Sequence, residues 1–113
     1  MKNEVKVLMI DANKQSITEA EFPHNDLISY ARRFIGGNVE VCRIDRNGNV
    51  ILVDEDGQFK RMSGQPYSMF EFYGKPIIGN AVVLSVNGRN NFSSSKLTIE
   101  DLQQVTMLLG KQL

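Results

Sequence analysis

The sequence has few of the residues that most often do chemistry or hold small extracellular proteins together. It contains one cysteine, Cys42, one histidine, His24, and no tryptophan. A single cysteine excludes an intrachain disulfide, and with it the class of small disulfide-stabilised secreted proteins. One cysteine and one histidine also cannot form a closed zinc site, which takes four nitrogen or sulfur ligands. We therefore expect neither a metal nor a cofactor.

The chain also lacks an excess of charge of either sign and any long hydrophobic run. Its 13 Lys and Arg residues balance its 13 Asp and Glu residues. A neutral chain has no overall field to attract nucleic acid or anionic lipid, so nucleic acid is a disfavoured partner. The longest apolar runs, residues 50–53 and 77–84, are far shorter than a membrane span, and no signal-peptide pattern opens the sequence. We expect a cytoplasmic protein without a membrane association, and the length of 113 residues predicts a single domain over 1–113.

The first half of the sequence predicts two hairpins separated by a helix. Residues 5–10 and 16–22 read as paired strands. A stripe of apolar residues at helical spacing then predicts a helix over 27–35, which ends at the Gly36-Gly37 pair. Strands over 39–44 and 50–53 follow, joined at Asn47-Gly48, a dipeptide that favours a type I′ turn because both residues tolerate positive φ.

The second half predicts more strands and a closing helix. Residues 59–62 are expected to be the third strand of a meander, 63–76 a packed irregular segment, and 77–86 one buried strand with a bulge at Gly79-Asn80. An exposed loop over 87–96 precedes a capping box at Thr98–Asp101 and a helix running to the C-terminus. The predicted class is therefore α+β: a two-layer domain with a mostly antiparallel sheet of five or six strands, one helix in the first half and one C-terminal helix.

Several short motifs resemble an uncharacterised family of small proteins from phages, plasmids and other mobile elements, catalogued as domain of unknown function 3846. The motifs cover nearly the whole chain: Lys6–Ile10, Phe34–Gly37, Val39–Val41, Asp54–Gly57, Gly64–Pro66, Ile77–Val83 and Leu97–Leu102. The resemblance implies an accessory gene product of a mobile element. It implies no reaction, because no activity is settled for that family.

No set of residues predicts a catalytic or metal site. A Cys42–His24 nucleophilic pair is conceivable, but a cysteine within an apolar strand is more often a buried core residue. Asp54 and Asp56 before Gly57 resemble part of a calcium loop, yet the third oxygen ligand and the later glutamate are missing, so a turn is favoured. We expect no catalytic residue, no metal ligand and no enzyme.

The segment from Tyr67 to Tyr73 is the most informative local feature, because it holds five large apolar side chains in seven residues. Most of it is expected to be core, and the alternative is a recognition surface, since Tyr, Phe and Met are enriched at interfaces and ligand clefts. The candidate binding residues are Tyr67, Ser68, Phe70 and Tyr73, together with the basic residues Arg43, Lys60 and Arg61.

Two functions remain open at this stage. The preferred hypothesis is a non-enzymatic binding or accessory protein that engages a protein partner through the 67–73 segment and nearby strand edges. The alternative is a protein that binds or sequesters a small anionic ligand or nucleotide signal, with Arg43, Lys60 or Arg61 holding the anion. A concave pocket containing those cations would favour the second hypothesis. A homo-oligomer is possible, because exposed strand edges often pair.

Overall fold

The computed structural model describes residues 3–88 and 91–112 and shows two antiparallel sheets and three helices. In chain order the strands are β1 (Glu4–Asp11), β2 (Ser16–Pro23), β3 (Val39–Arg43), β4 (Asn49–Asp54), β5 (Tyr67–Phe72), β6 (Lys75–Ile78), β7 (Ala81–Asn87), β8 (Asn91–Ser93) and β9 (Thr106–Gln112). The helices are α1 (Leu27–Ile35), α2 (Gly57–Met62) and α3 (Ile99–Val105), and a single 3-10 turn (His24–Asp26) precedes α1.

The larger sheet has six strands. Its order is β2-β1-β7-β4-β3, and β8 pairs with the part of β7 beyond its contact with β1. The smaller sheet has the order β6-β5-β9, so β5 is hydrogen-bonded on both of its edges. Every pairing in both sheets is antiparallel.

Two apolar cores lie on opposite faces of the larger sheet. On one face, α1 buries Leu27, Ala31 and Ile35 against side chains such as Val7 and Leu52. On the other face, the smaller sheet and α3 contribute a second set of buried side chains, namely Phe70, Phe72 and Leu102. Successive side chains of a strand point to opposite faces, and both faces of the larger sheet are covered. Residues of β1 and β4 therefore enter both cores and are apolar on both faces.

The α+β class is confirmed, with a mostly antiparallel sheet, a helix in the first half and a C-terminal helix. The expected count of five or six strands describes the larger sheet, which has six. The smaller sheet was not expected as a separate unit. It adds a third layer to the two layers that the sequence predicts, because both faces of the larger sheet are apolar and each face is covered.

The first half of the chain follows the sequence prediction closely. The strand pair, α1 and the β3–β4 hairpin are all present. Gly36 follows the last residue of α1; its φ is 89°, and its N–H donates to the carbonyl of Arg32 at 2.7 Å. The predicted type I′ turn at Asn47-Gly48, between β3 and β4, is wrong. Only Gly48 has a positive φ there, and the loop over 44–48 is closed by the side chain of Asp45, which accepts from the N–H of Asn47 at 2.8 Å.

The region from 57 to 86 requires three corrections. Residues 59–62 belong to helix α2 and not to a third meander strand. The segment 63–76, expected to be irregular, contains β5 and the start of β6. The predicted strand 77–86 is divided at Gly79 and Asn80, where the chain passes from β6 in the smaller sheet to β7 in the larger one.

The last part of the chain departs from the prediction after its helix begins. The Thr98 capping box is confirmed: the Asp101 N–H donates to Thr98 Oγ1 at 3.1 Å, and the Thr98 N–H donates to Asp101 Oδ2 at 2.9 Å. However, α3 ends at Val105 and the chain continues as β9. The predicted loop 87–96 includes β8, while its residues 89 and 90, like residue 113 of the predicted helix, lie outside the described residues.

Candidate functional site

A cavity of about 340 Å³ lies between α2, the beginning of β5 and the junction of β6 with β7. We call it the Lys60 cavity. It brings together three of the residues that the sequence predicts for binding, Lys60, Tyr67 and Ser68. The other lining residues are Asn13, Ile35, Asp54, Gln65, Pro66, Ile78, Gly79 and Asn80.

An ion pair forms one wall of the Lys60 cavity. Lys60 Nζ donates to Asp54 Oδ2 at 2.5 Å, and Asp54 Oδ1 accepts from the backbone N–H of Asp56 at 2.9 Å. The Asp54 side chain is only 3% exposed, whereas that of Lys60 is 48% exposed. The buried carboxylate therefore fixes the position of the ammonium group, which has three N–H donors and uses one of them on Asp54.

The first residues of β5 and the second basic residue of α2 lie beside this pair. Ser68 Oγ lies 3.3 Å from Asn13 Oδ1 and donates to it, which links β5 to the turn between β1 and β2. The guanidinium carbon of Arg61 lies 6.0 Å from the ring centroid of Tyr67. The cavity thus combines one cation at its wall, a second cation beside its aromatic residue, and a hydroxyl group.

Asn80 ties the cavity to the rest of the molecule. Its Oδ1 accepts from the Ala12 N–H at 2.8 Å, and its Nδ2 donates to the carbonyl of Phe34 at 3.1 Å. The preceding Gly79 has a φ of 87°, a conformation that favours glycine. Sequence reasoning noted Gly79-Asn80 as a break in a strand and did not assign Asn80, Asn13 or Gln65 to a site. The only available signal was this Gly-Asn pair inside an apolar run.

The remaining predicted residues do not lie in the Lys60 cavity. Phe70 is fully buried in the core, where its ring lies 6.5 Å from that of Phe72, so it reaches no surface in this structure. Tyr73 is 59% exposed at the β5–β6 turn, and Arg43 lies at the end of β3. Because successive side chains of β5 point to opposite faces, a single contact surface made of the whole 67–73 segment does not form.

Tyr73 lines a separate depression of about 430 Å³, which we call the Tyr73 cleft. It lies where α3 runs into β9, beside the β5–β6 turn. Tyr73 and Met107 are both 59% exposed there. The other lining residues are Glu71, Gly74, Gln104, Val105 and Thr106.

Arg43 lines a third depression, of about 350 Å³, between the β3–β4 loop and the end of β7. Arg46 and Asp45 line it as well. The pKa of Asp45 is lowered, chiefly because its carboxylate accepts a hydrogen bond from the side chain of Asn49 at 2.8 Å; desolvation opposes this, and the N–H groups of Asn47 and Asn49 add to it. The Asp45 carboxylate is thus occupied by hydrogen bonds from Asn47 and Asn49 of its own hairpin.

Cys42 and His24 do not form a nucleophilic pair. Cys42 is on β3 and His24 follows β2, and these strands are at opposite edges of the larger sheet. Four strand spacings of about 4.8 Å separate them by about 19 Å. Burial, and after it the neighbouring Glu40 carboxylate, raises the pKa of the Cys42 thiol, which lowers the fraction present as reactive thiolate.

Two further properties follow from residues 3–88 and 91–112. Within these ranges, no three His, Cys, Asp or Glu side chains are grouped so that they could hold a metal ion. Nor does any helix described there have the length and apolar character needed to cross a membrane.

The structure defines an α+β fold with a six-stranded sheet between a helix and a smaller sheet, and with a cavity of mixed polar and apolar lining at the junction of the two sheets. The family model described as "Domain of unknown function (DUF3846)" matches residues 5–109, and the chain belongs to this family. No curated protein and no solved structure was found to match the chain.

Proposed function

We propose that this member of the family is a non-enzymatic binding protein that takes a small anionic ligand, of the size of a nucleotide, in the Lys60 cavity. The observation that supports it is the meeting, around one concave space, of Lys60 from the basic residues and of Tyr67 and Ser68 from the 67–73 segment. A binding role of this kind fits the accessory functions of mobile elements that the family resemblance implies.

The chemistry of the cavity suits an anionic group attached to a planar or polar body. The Lys60 ammonium keeps two N–H donors beyond the one that Asp54 accepts, and its side chain is half exposed. Arg61 offers a second cation near Tyr67. The Tyr67 ring can contact a base or another flat group, and Ser68 can accept a hydrogen bond from it.

The absence of an enzymatic role is part of the proposal. Cys42 and His24, the residues most suited to covalent or acid–base catalysis, are at opposite edges of the larger sheet. The raised pKa of Cys42 further disfavours its use as a nucleophile. The Asp54 carboxylate, which is next to the cavity, is occupied by Lys60 and by the Asp56 N–H.

The test is a ligand titration of the isotopically labelled protein, in which nuclear magnetic resonance measures the amide chemical shifts. Adenosine 5′-monophosphate is the probe, and adenosine and inorganic phosphate each lack one half of it. We expect saturable shifts at Lys60, Tyr67 and Ser68 with the monophosphate, and binding at least fivefold weaker with either half.

Matched lysine variants locate the anion site. Lys60→Gln removes the ammonium group, but the glutamine amide can still donate a hydrogen bond to Asp54. This variant should bind the monophosphate at least fivefold more weakly. Lys75→Gln removes an exposed lysine of β6 that does not line the cavity, and it should leave binding unchanged. Shifts that are absent with all three probes, or an equal effect of the two variants, would refute the proposal.

Protein-partner binding is the second candidate function, and the Tyr73 cleft is the observation that favours it. Tyr73, just after β5, and Met107, near the start of β9, both line this cleft and are both mostly exposed. Phe70 and Phe72, by contrast, are core residues. Exposed large apolar side chains at a cleft are typical of contact surfaces. A partner that uses the aromatic segment would therefore contact its Tyr73 end.

A further inference from the structure

Tyr73 occupies a backbone conformation that tyrosine rarely adopts. Its φ is 51° and that of Gly74 is 75°, and the flanking residues Phe72 and Lys75 are paired across the hairpin. Positive φ at both central residues is the pattern of a type I′ turn, where Asn, Asp and Gly are strongly preferred. A tyrosine pays a conformational penalty there that asparagine largely avoids. An aromatic ring at this turn therefore calls for a role that asparagine cannot fill.

One backbone hydrogen bond and one ring contact hold Tyr73 in place without covering its side chain. The Tyr73 N–H donates to the carbonyl of Val105 at 2.8 Å. Its ring meets that of Phe72 edge to face, with centroids 5.0 Å apart and an interplanar angle of 89°. The ring is held against Phe72, and Tyr73 as a whole residue is still 59% exposed, so that much of it is available to a ligand.

A carboxylate and a thioether share the cleft with this ring. Glu71 and Met107 are directly paired between β5 and β9, so their side chains lie next to each other on one face of the smaller sheet. Among the described residues, no Lys, Arg or His nitrogen lies within 4 Å of the Glu71 carboxylate. Lys75 is paired with Phe72, and the pleat directs residues 71 and 72 to opposite faces.

The rest of the cleft adds no positive charge, since its lining contains no Lys, Arg or His. Helix α3 ends there at Val105, and the carbonyl end of a helix carries a partial negative charge. A carboxylate and an aromatic face attract an organic cation, and an exposed thioether side chain offers apolar surface to the methylene groups that carry it.

We propose that the Tyr73 cleft binds the ammonium or guanidinium group of a lysine or arginine side chain that belongs to a partner protein. The inference rests on the second proposed function, partner binding, and is independent of the Lys60 cavity. The cation would pair with Glu71 and stand over the Tyr73 ring. The methylene stem of the lysine or arginine would lie on the exposed side chain of Met107. A small free amine would leave that side chain uncovered.

The test uses a lysine peptide and two matched probes in amide chemical-shift titrations. The peptide is acetyl-Ala-Leu-Lys-Leu-Ala-amide, its neutral analogue has norleucine in place of lysine, and butylammonium supplies the cation without the peptide. We expect saturable shifts at residues 73, 74, 106 and 107 with the lysine peptide, reduced by added salt. Binding should be at least fivefold weaker for each of the other two probes.

Variants separate recognition from folding. Glu71→Gln and Tyr73→Asn should each weaken binding of the lysine peptide at least fivefold. Asparagine suits this turn, so we expect Tyr73→Asn to stay folded; an amide spectrum with the dispersion of the unchanged protein would show that a loss of binding is not due to unfolding. Glu55→Gln, an exposed carboxyl of the β4–α2 connection, is the control and should bind like the unchanged protein.

Each outcome bears on a different part of the proposal. If the norleucine peptide binds as tightly as the lysine peptide, the cation site is refuted while partner binding survives. If butylammonium binds as tightly as the lysine peptide, the site takes free amines and the partner is refuted. If no probe shifts the cleft residues, both the cation site and partner binding at this cleft are refuted.

Discussion

Gly48 shows how a single residue can hold two parts of the larger sheet together. Its φ is 87°, its carbonyl accepts from the Val86 N–H at 2.8 Å, and a Cβ placed on it would lie 2.7 Å from the Val86 carbonyl oxygen. The loop after β3 therefore approaches β7 so closely that only hydrogen fits at this position. Gly36 has nearly the same φ, 89°, but no atom within 4 Å of such a Cβ.

This pair of glycines gives a controlled prediction. Gly36→Ala should lower the free energy of unfolding by about 1 kcal/mol, the cost of a left-handed conformation for an alanine. Gly48→Ala should lower it by at least about 1 kcal/mol more, because the backbone of β7 must also move. Urea denaturation of both variants measures the difference. Equal losses would show that the close approach to Val86 contributes nothing.

At the scale of elements, the loop between β3 and β4 is organised around a chain of hydrogen bonds that runs from Asp45 into the larger sheet. Asp45 accepts from Asn49 Nδ2, and Asn49 Oδ1 in turn accepts from Ser85 Oγ at 3.0 Å. Asn49 and Ser85 are buried, so the chain fastens the loop to the neighbouring strand β7. Satisfied buried polar groups of this kind specify a particular packing of strands.

The lowered pKa of Asp45 predicts a pH dependence with a definite sign. An aspartate whose pKa is lower in the folded than in the unfolded protein stabilises the fold above its unfolded pKa. That contribution is lost as the pH falls from the ordinary aspartate pKa, about 3.9, through the lower folded value. Asp45→Asn should therefore show a shallower loss of stability in acid than the unchanged protein, measured by urea denaturation from pH 7 to pH 3.

Glu19→Gln is the matched control, since it also removes one carboxyl but from an exposed position on the edge strand β2. A slope between pH 5 and pH 3 that is the same in Asp45→Asn as in the unchanged protein would contradict the assignment of this acid-dependent stability to Asp45.

The elements also show where sequence reasoning succeeds and where it fails. Helix α1 and the Thr98 capping box were predictable because each combines a periodic apolar pattern or a specific polar pair with a clear boundary. Residues 106–112 continue the apolar spacing of α3 yet form β9, because pairing with β5 overrides the local pattern. Helix α2 has only six residues, too few for a periodic signal.

The sequence predicts several of the residues that line the candidate sites, but it does not predict where in the fold these residues meet. Tyr67, Ser68 and Tyr73 stood out by composition, but nothing local indicates that the start of β5 and the turn after it line two different depressions. The Lys60 cavity depends on α2, which was expected to be a strand, and on Asn13 and Asn80, which come from distant turns. Tyr73-Gly74, and not Asn47-Gly48, has the two positive φ values of a type I′ turn.

At the scale of the whole molecule, Phe70 joins the two sheets into one unit. Its side chain is fully buried between them, among apolar residues of both. Because the smaller sheet has only three strands and packs on the larger one through this core, we expect both sheets to unfold in a single transition. Far-ultraviolet circular dichroism and tyrosine fluorescence should then give the same midpoint.

Phe70→Ala should lower the free energy of unfolding by about 3–5 kcal/mol, the usual cost of removing a buried phenylalanine ring. Phe59→Ala is the control: Phe59 is 75% exposed on α2, and its removal should change stability by no more than about 0.5 kcal/mol. Similar effects of the two substitutions, measured by urea denaturation, would contradict the placement of Phe70 between the sheets.

The central position of β5 in the smaller sheet has a consequence for biosynthesis. One of its neighbours, β6, follows at once, but the other, β9, is translated roughly thirty residues later, which takes roughly 2–6 seconds on a ribosome. During that interval the aromatic strand has an unpaired edge. Until β9 has been made, the nascent polypeptide is therefore vulnerable to chaperone capture and to misassociation through this edge.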